Sequence, residues 1–211
     1  MRALFTVIFF FLIIGVCGQK PVVSNPMMNL IYRHVENPIS IAMPGYDCEQ
    51  LRVKCEGALF DGKGCDYTIL AQEGNQAILT ISAVVNGDTL AQDEYYFRVK
   101  SVPDPVPSFA GKKPNDHTIS KPDLMVAAGI RAEMQNFDYI INTKVVAFDM
   151  VVMSPEGGYI VKSSTSNRLT AEMKALLKKT KRGEVVRFIN IVALMPGGEK
   201  REVANLGLKV V

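Results

Sequence analysis

The sequence predicts a mainly β chain in two successive parts, a two-sheet β-sandwich and then a β-rich α+β domain with two short helices. Three observations carry this. Short alternating apolar runs bounded by Gly, Pro and Asn recur about 8 to 15 residues apart as far as Lys100. The cluster Val102-Pro-Asp-Pro-Val-Pro107 then breaks the rhythm. Beyond it, two stretches with helix-capping residues alternate with long apolar strand candidates.

The first element is a processing signal. Arg2 precedes Ala3 to Val16, an uncharged apolar run of about 14 residues. At about 1.5 Å per residue such a run falls well short of the roughly 30 Å hydrocarbon core. With small residues around Val16-Cys17-Gly18, residues 1–18 read as a signal peptide and the mature chain starts at Gln19. The alternative makes Ile14-Gly15-Val16-Cys17 a lipobox with Cys17 acylated, but Val16 is bulkier than the residue usual there. Both readings export the chain to the periplasm or cell envelope. No later run is long enough to span a bilayer, so no transmembrane segment is expected in the mature chain.

From residue 21 to 100 the strand candidates are Leu30–Arg33, Ile39–Met43, Leu51–Cys55, Tyr67–Leu70, Ala77–Val85 and Tyr95–Lys100. Asn86-Gly87 follows the strongest of them. This pair tolerates the positive φ angles of a two-residue hairpin. Asn37-Pro38 and Pro44-Gly45 suit strand edges, where a missing amide donor does least harm. About 80 residues of this kind without a helical stretch predict an immunoglobulin-like sandwich.

Loss of Cys17 with the signal leaves Cys48, Cys55 and Cys65, which allow one internal bridge in an oxidising compartment. Cys55 ends one strand candidate and Cys65 opens the next, with the turn-like Phe60-Asp-Gly-Lys-Gly64 between them. Adjacent antiparallel strands would bring them together, so Cys55–Cys65 is the preferred disulfide over three reduced thiols.

The boundary is placed near Ser101, and residues 101–211 form the second domain. Ser120, Pro122 and Asp123 make a capped helix start before Leu124–Ala128, and Gly129 ends it. Ile130–Met134 and Thr143–Met153 follow as strands, the latter apolar on most of both faces and therefore central. After a turn at Pro155–Gly158 comes Tyr159–Lys162. Thr170 caps a second helix with Met173, Leu176 and Leu177 as its inward stripe. Glu184–Leu194, a Pro196-Gly-Gly198 turn and Leu206–Val211 complete the sheet.

Chemistry is sparse. His occurs twice, Trp is absent, and 24 basic against 21 acidic residues give a net charge of +3, far from the excess of a nucleic-acid binder. His34 and His117 have no Ser, Asp or Cys at diagnostic spacing, and no Gly-x-Ser-x-Gly nucleophile motif occurs. The cysteines lack the paired spacing of zinc sites, and no Asp-rich loop concentrates calcium ligands. No catalytic residue, cofactor or metal is therefore expected. Lys174, Lys178, Lys179, Lys181 and Arg182 place five cations on and after the second helix. They read as a solvated face complementing the helix carboxyl end, or as a docking patch for an acidic protein surface.

Several phrases together resemble the carboxy-terminal periplasmic half of the GldM family of gliding-motility and type IX secretion components in Bacteroidetes. They are Asn29–Gly45, Tyr96–Pro105, Ala110–Lys113 with Ile119–Lys121, Ile130–Asp138 and Leu169–Gly183, in family order and spacing. The resemblance covers nearly all the mature chain. It implies two β-rich domains without an active site, reaching toward an outer-membrane-associated ring, and a family habit of forming homodimeric rods. Here a cleavable signal stands where the family has its membrane helix, and the three cysteines lie outside the family pattern.

The expected function is therefore a non-enzymatic, exported protein-interaction module that binds envelope partners of the gliding and type IX secretion machinery. The alternative is an exported carbohydrate- or peptidoglycan-binding sandwich. Sugar platforms need coplanar aromatics, and Tyr32, Tyr46, Tyr95 and Tyr96 are not spaced as one.

Overall fold

The structure, a computed structural model, describes residues 22–24, 29–154 and 156–211. The signal-peptide and Cys17 readings lie outside the described residues. The chain is mainly β with two short helices, as the sequence predicts.

Among the described residues the first part holds eight strands, β1 (Val22–Ser24), β2 (Leu30–Tyr32), β3 (Asn37–Ala42), β4 (Leu51–Glu56), β5 (Leu59–Lys63), β6 (Asp66–Leu70), β7 (Gln76–Val85) and β8 (Asp88–Lys100). They form two four-stranded sheets ordered β1-β3-β6-β5 and β2-β8-β7-β4. Alternation buries Ile39, Ile41 and Ile69 from one sheet against Leu79, Ile81, Phe97 and Val99 from the other. Asn86 and Gly87 turn β7 into β8 with φ of 53° and 95°, the positive pair the dipeptide predicts. Strand β8 begins seven residues before its apolar stretch, because register with β7 carries the polar Asp88–Glu94 into the ladder.

Two sequence expectations fail here. Phe60–Lys63 is strand, not turn, and its Gly62 crosses so close to β6 that a Cβ there would lie 2.4 Å from the Asp66 carbonyl oxygen. The disulfide joins Cys48 to Cys65, with Cα atoms 5.1 Å apart, and Cys55 is a free thiol. Cys55 sits in β4 opposite Leu79, in one sheet, whereas Cys65 immediately precedes β6 in the other. Strand β5 intervenes, so β4 and β6 are not neighbours, and the bridge runs instead from the turn that precedes β4.

The second part contains β9 (Val106–Phe109), β10 (Thr118–Ile119), α1 (Lys121–Val126), β11 (Ile130–Glu133), β12 (Lys144–Met153), β13 (Tyr159–Ser164), α2 (Ala171–Lys179), β14 (Val185–Leu194), β15 (Lys200–Glu202) and β16 (Leu206–Val210). Strands pair in the order β10-β16-β14-β12-β13, with β15 also on β14, and β9 pairs with β11. The Ser120 hydroxyl accepts from the Asp123 amide at 3.2 Å and the Thr170 hydroxyl from the Met173 amide at 3.2 Å, so both predicted caps start their helices. Phe148, Met150, Val152, Val186 and Phe188 bury one face of the sheet with Leu124, Met173 and Leu177 of the helices. Strand β12 is central, as predicted. Val151 on its opposite face is buried too, while Asp149 and Met153 are half-covered.

The two buried clusters, drawn from residues 31–99 and 102–210, meet through Tyr32 and Val35, which pack against the second cluster. Tyr32 lies edge-on to Phe137 and to Tyr139. The connecting segment is fixed by Arg201, which donates to the Val102 carbonyl at 2.7 Å and the Asp104 carboxylate at 3.0 Å while pairing with Glu199 at 2.9 Å. Asn37, fully buried, accepts from the Tyr32 amide and donates to the Val35 carbonyl, holding the turn that presents Tyr32.

Candidate functional site

Burial of Met173 and Leu177 along α2 turns Lys174, Lys178 and Lys179 to solvent, and Lys181 and Arg182 continue the exposed band into the turn before β14. None of these five cations forms an ion pair among the described residues. The nearby acids are otherwise engaged. Glu172 pairs with Lys162 of β13, whose hydrogen bond and charge hold the glutamate carboxyl below its ordinary range. Glu184 accepts from the Lys181 amide at 2.9 Å.

Sequence reasoning missed how the carboxyl end of α2 is satisfied. The Lys121 ammonium of α1 donates to the carbonyls of Leu177 at 2.6 Å, Lys178 at 3.0 Å and Thr180. They cluster at the carboxyl end of α2, where the last carbonyls lack a full set of internal partners; Leu177 also accepts from the Thr180 amide at 3.3 Å. A cation from another helix thus serves the negative end of α2, beside the last-turn Lys178 and Lys179. Only a tertiary contact shows this; Lys121 looks in sequence like a first-turn residue of α1.

His34 lies half-buried at the junction, in a groove of about 860 Å³ that also takes in Glu36, Asp138, Tyr139 and Pro196. Among the described residues no hydrogen bond joins its imidazole to either carboxylate, and no serine or cysteine lines the groove. His117 is exposed beside β10. Cys55 packs against the first core, where loss of water around the thiol raises its pKa. No group of three His, Cys, Asp or Glu that could hold a metal occurs among the described residues. A second groove, of about 660 Å³, mixes Lys113, Arg131 and Arg168 with Asp123 and Glu133.

The tyrosines considered as a sugar platform do not share a surface. Tyr32 belongs to the junction cluster, Tyr46 and Tyr95 pack on the first core, and Tyr96 is exposed with its hydroxyl donating to Glu94 at 2.8 Å. No helix of the described residues is long and apolar enough to cross a membrane.

Residues 21–100 match the protein family described as GldM third domain, and residues 103–210 match the one described as GldM C-terminal domain. No curated protein matches. Among solved structures, the crystal structure of human mucin-like protocadherin EC1-2 is similar at 14% sequence identity. The match covers 92% of this chain and 98% of that one, with a TM-score of 0.29.

Proposed function

The chain belongs to the GldM family, whose members are components of the gliding-motility and type IX secretion machinery, and on that premise we propose that it is a non-enzymatic docking module of the cell envelope. The observation that carries the reading is the coverage of residues 21–100 and 103–210, in order, by the family's two final domains. In this reading residues 1–18 are a signal peptide, 21–100 and 101–211 are separate domains, and the mature chain works in the periplasm without cofactor or metal. Partners are envelope proteins, with a second copy of the chain among the candidates.

The band of Lys174, Lys178, Lys179, Lys181 and Arg182 supports this reading as a partner-binding patch. Its cations are exposed and unpaired among the described residues.

Affinity capture from a Bacteroidetes envelope with the mature chain tests the proposal. Recovery of outer-membrane-side components of the secretion or gliding apparatus is expected. Recovery of none of them, together with a saturable signal on a glycan array, would replace the reading with the carbohydrate-binding one.

A further inference from the structure

We propose that the uncovered face of the six-stranded sheet docks an acidic amphipathic segment of a partner protein. The inference rests on the docking reading above and adds a second surface with a stated occupant. One face of this sheet is buried under the helices through Met150, Val152, Val186, Phe188 and Leu208. Side chains alternate along a strand, so the residues between these point to the opposite face. Strand register then places them in rows.

Lys209 lies beside Val185, Val185 beside Met153, and Met153 beside Tyr159, across β16, β14, β12 and β13. The neighbouring row runs Gly207, Arg187, Val151, Val161. With strands about 4.8 Å apart, each row is about 14 Å wide. The β16–β14 side is cationic through exposed Arg187 and Lys209. The β12–β13 side is apolar, with Tyr159 72% and Val161 45% exposed. No described element covers the face.

Charge decides the occupant. Neither Arg187 nor Lys209 forms an ion pair among the described residues; of the acids on this face, Asp149 accepts from Asn190 at 2.8 Å and exposed Glu202 lies opposite Val192, on β15. An apolar strip flanked on one side by unpaired cations selects a segment with an apolar stripe and acids along one flank. Val151, at the centre of its row, is only 8% exposed, between exposed Arg187 and Val161. The vesicle probe below separates a protein segment from a lipid surface.

The test uses the mature chain and three probes: a synthetic Glu/Leu amphipathic helix, its Lys/Leu counterpart, and phosphatidylglycerol vesicles. Saturable binding of the acidic peptide is expected. Arg187→Glu with Lys209→Glu should weaken it at least tenfold, as should Val161→Lys, or Val161→Gln if the lysine variant does not fold. Reversing Lys174, Lys178 and Lys179 should change it less than twofold. The proposal is overturned by equal binding of the basic peptide, by binding to the vesicles alone, by no saturable binding, or by equal loss in the helix variant. Envelope capture separates the two readings. A sheet-face variant that still captures every partner removes this surface and leaves the docking reading intact. Failure of the parent chain to capture any, with peptide binding preserved, removes only the docking reading.

Discussion

Tyr32 and Phe137 meet edge to face with ring centroids 4.8 Å apart, and both pack against the second buried cluster, so a residue of β2 in the first part reaches the core of the second. Tyr32 directly follows the core residue Ile31, so the ring that reaches across is anchored in the first sandwich.

Tyr32→Ala should therefore destabilise the protein by about 2–3 kcal/mol, from lost aromatic burial and pairing. Calorimetry should show the single transition of the parent chain broadening or splitting in two. Unchanged cooperativity would mean that the junction does not couple the parts.

Lys121→Met should cost about 1–2 kcal/mol, because it leaves partly buried carbonyls at the end of α2 without a charged donor. Lys178→Ala with Lys179→Ala should stay within about 0.5 kcal/mol. Urea denaturation of both variants measures the contrast, and equal losses would return the late lysines to a helix-stabilising role.

Reversing Lys174, Lys178 and Lys179 to glutamate should weaken capture of an acidic envelope partner while leaving the circular-dichroism melt in place. Unchanged capture would make this band an ordinary solvated face.

Cys48→Ser should lower stability by about 3 kcal/mol, the constraint lost from a closed loop of this length. Peptide mapping without reductant should recover Cys48 linked to Cys65. Alkylation of Cys55 should need a higher pH than a solvated thiol, because burial raises its pKa and depletes the thiolate at a given pH.

Glu199 is held below its ordinary value of 4.5, first by the hydrogen bond from Arg201. Its folded pKa is depressed, so its contribution is present above the unfolded value and is lost as pH falls through the folded one. Glu199→Gln should flatten the acid limb of a stability–pH curve below about pH 4.5. An acid limb identical to the parent's would show that the Arg201 contact adds nothing to folding.

Elements with strict local signals were legible in the sequence. Asn86-Gly87 announces its hairpin, Ser120 and Thr170 announce their helices, and the two-sided apolar pattern of β12 places it centrally. What escaped depends on contacts distant in the chain. Gly62 and Gly64 make β5 look like a turn, while only pairing with β6 makes it a strand. Spacing does not tell in which sheet Cys55 lies, so it favours Cys55–Cys65 where the bridge is Cys48–Cys65. Lys121 reaches α2 across more than fifty residues, and the rows of the open sheet face exist only once register is known.

The central claim, that these two domains act by holding envelope proteins and not by chemistry, is tested most directly by quantitative capture. The mature chain is compared with a variant reversed at Lys174, Lys178 and Lys179 and at Arg187 and Lys209. The account predicts that the parent chain retains named outer-membrane-side components of the secretion apparatus and that the reversed, still folded variant retains at least tenfold less. Recovery of none of these components by the parent chain would contradict it, whereas equal recovery by both proteins would remove only the two cationic surfaces.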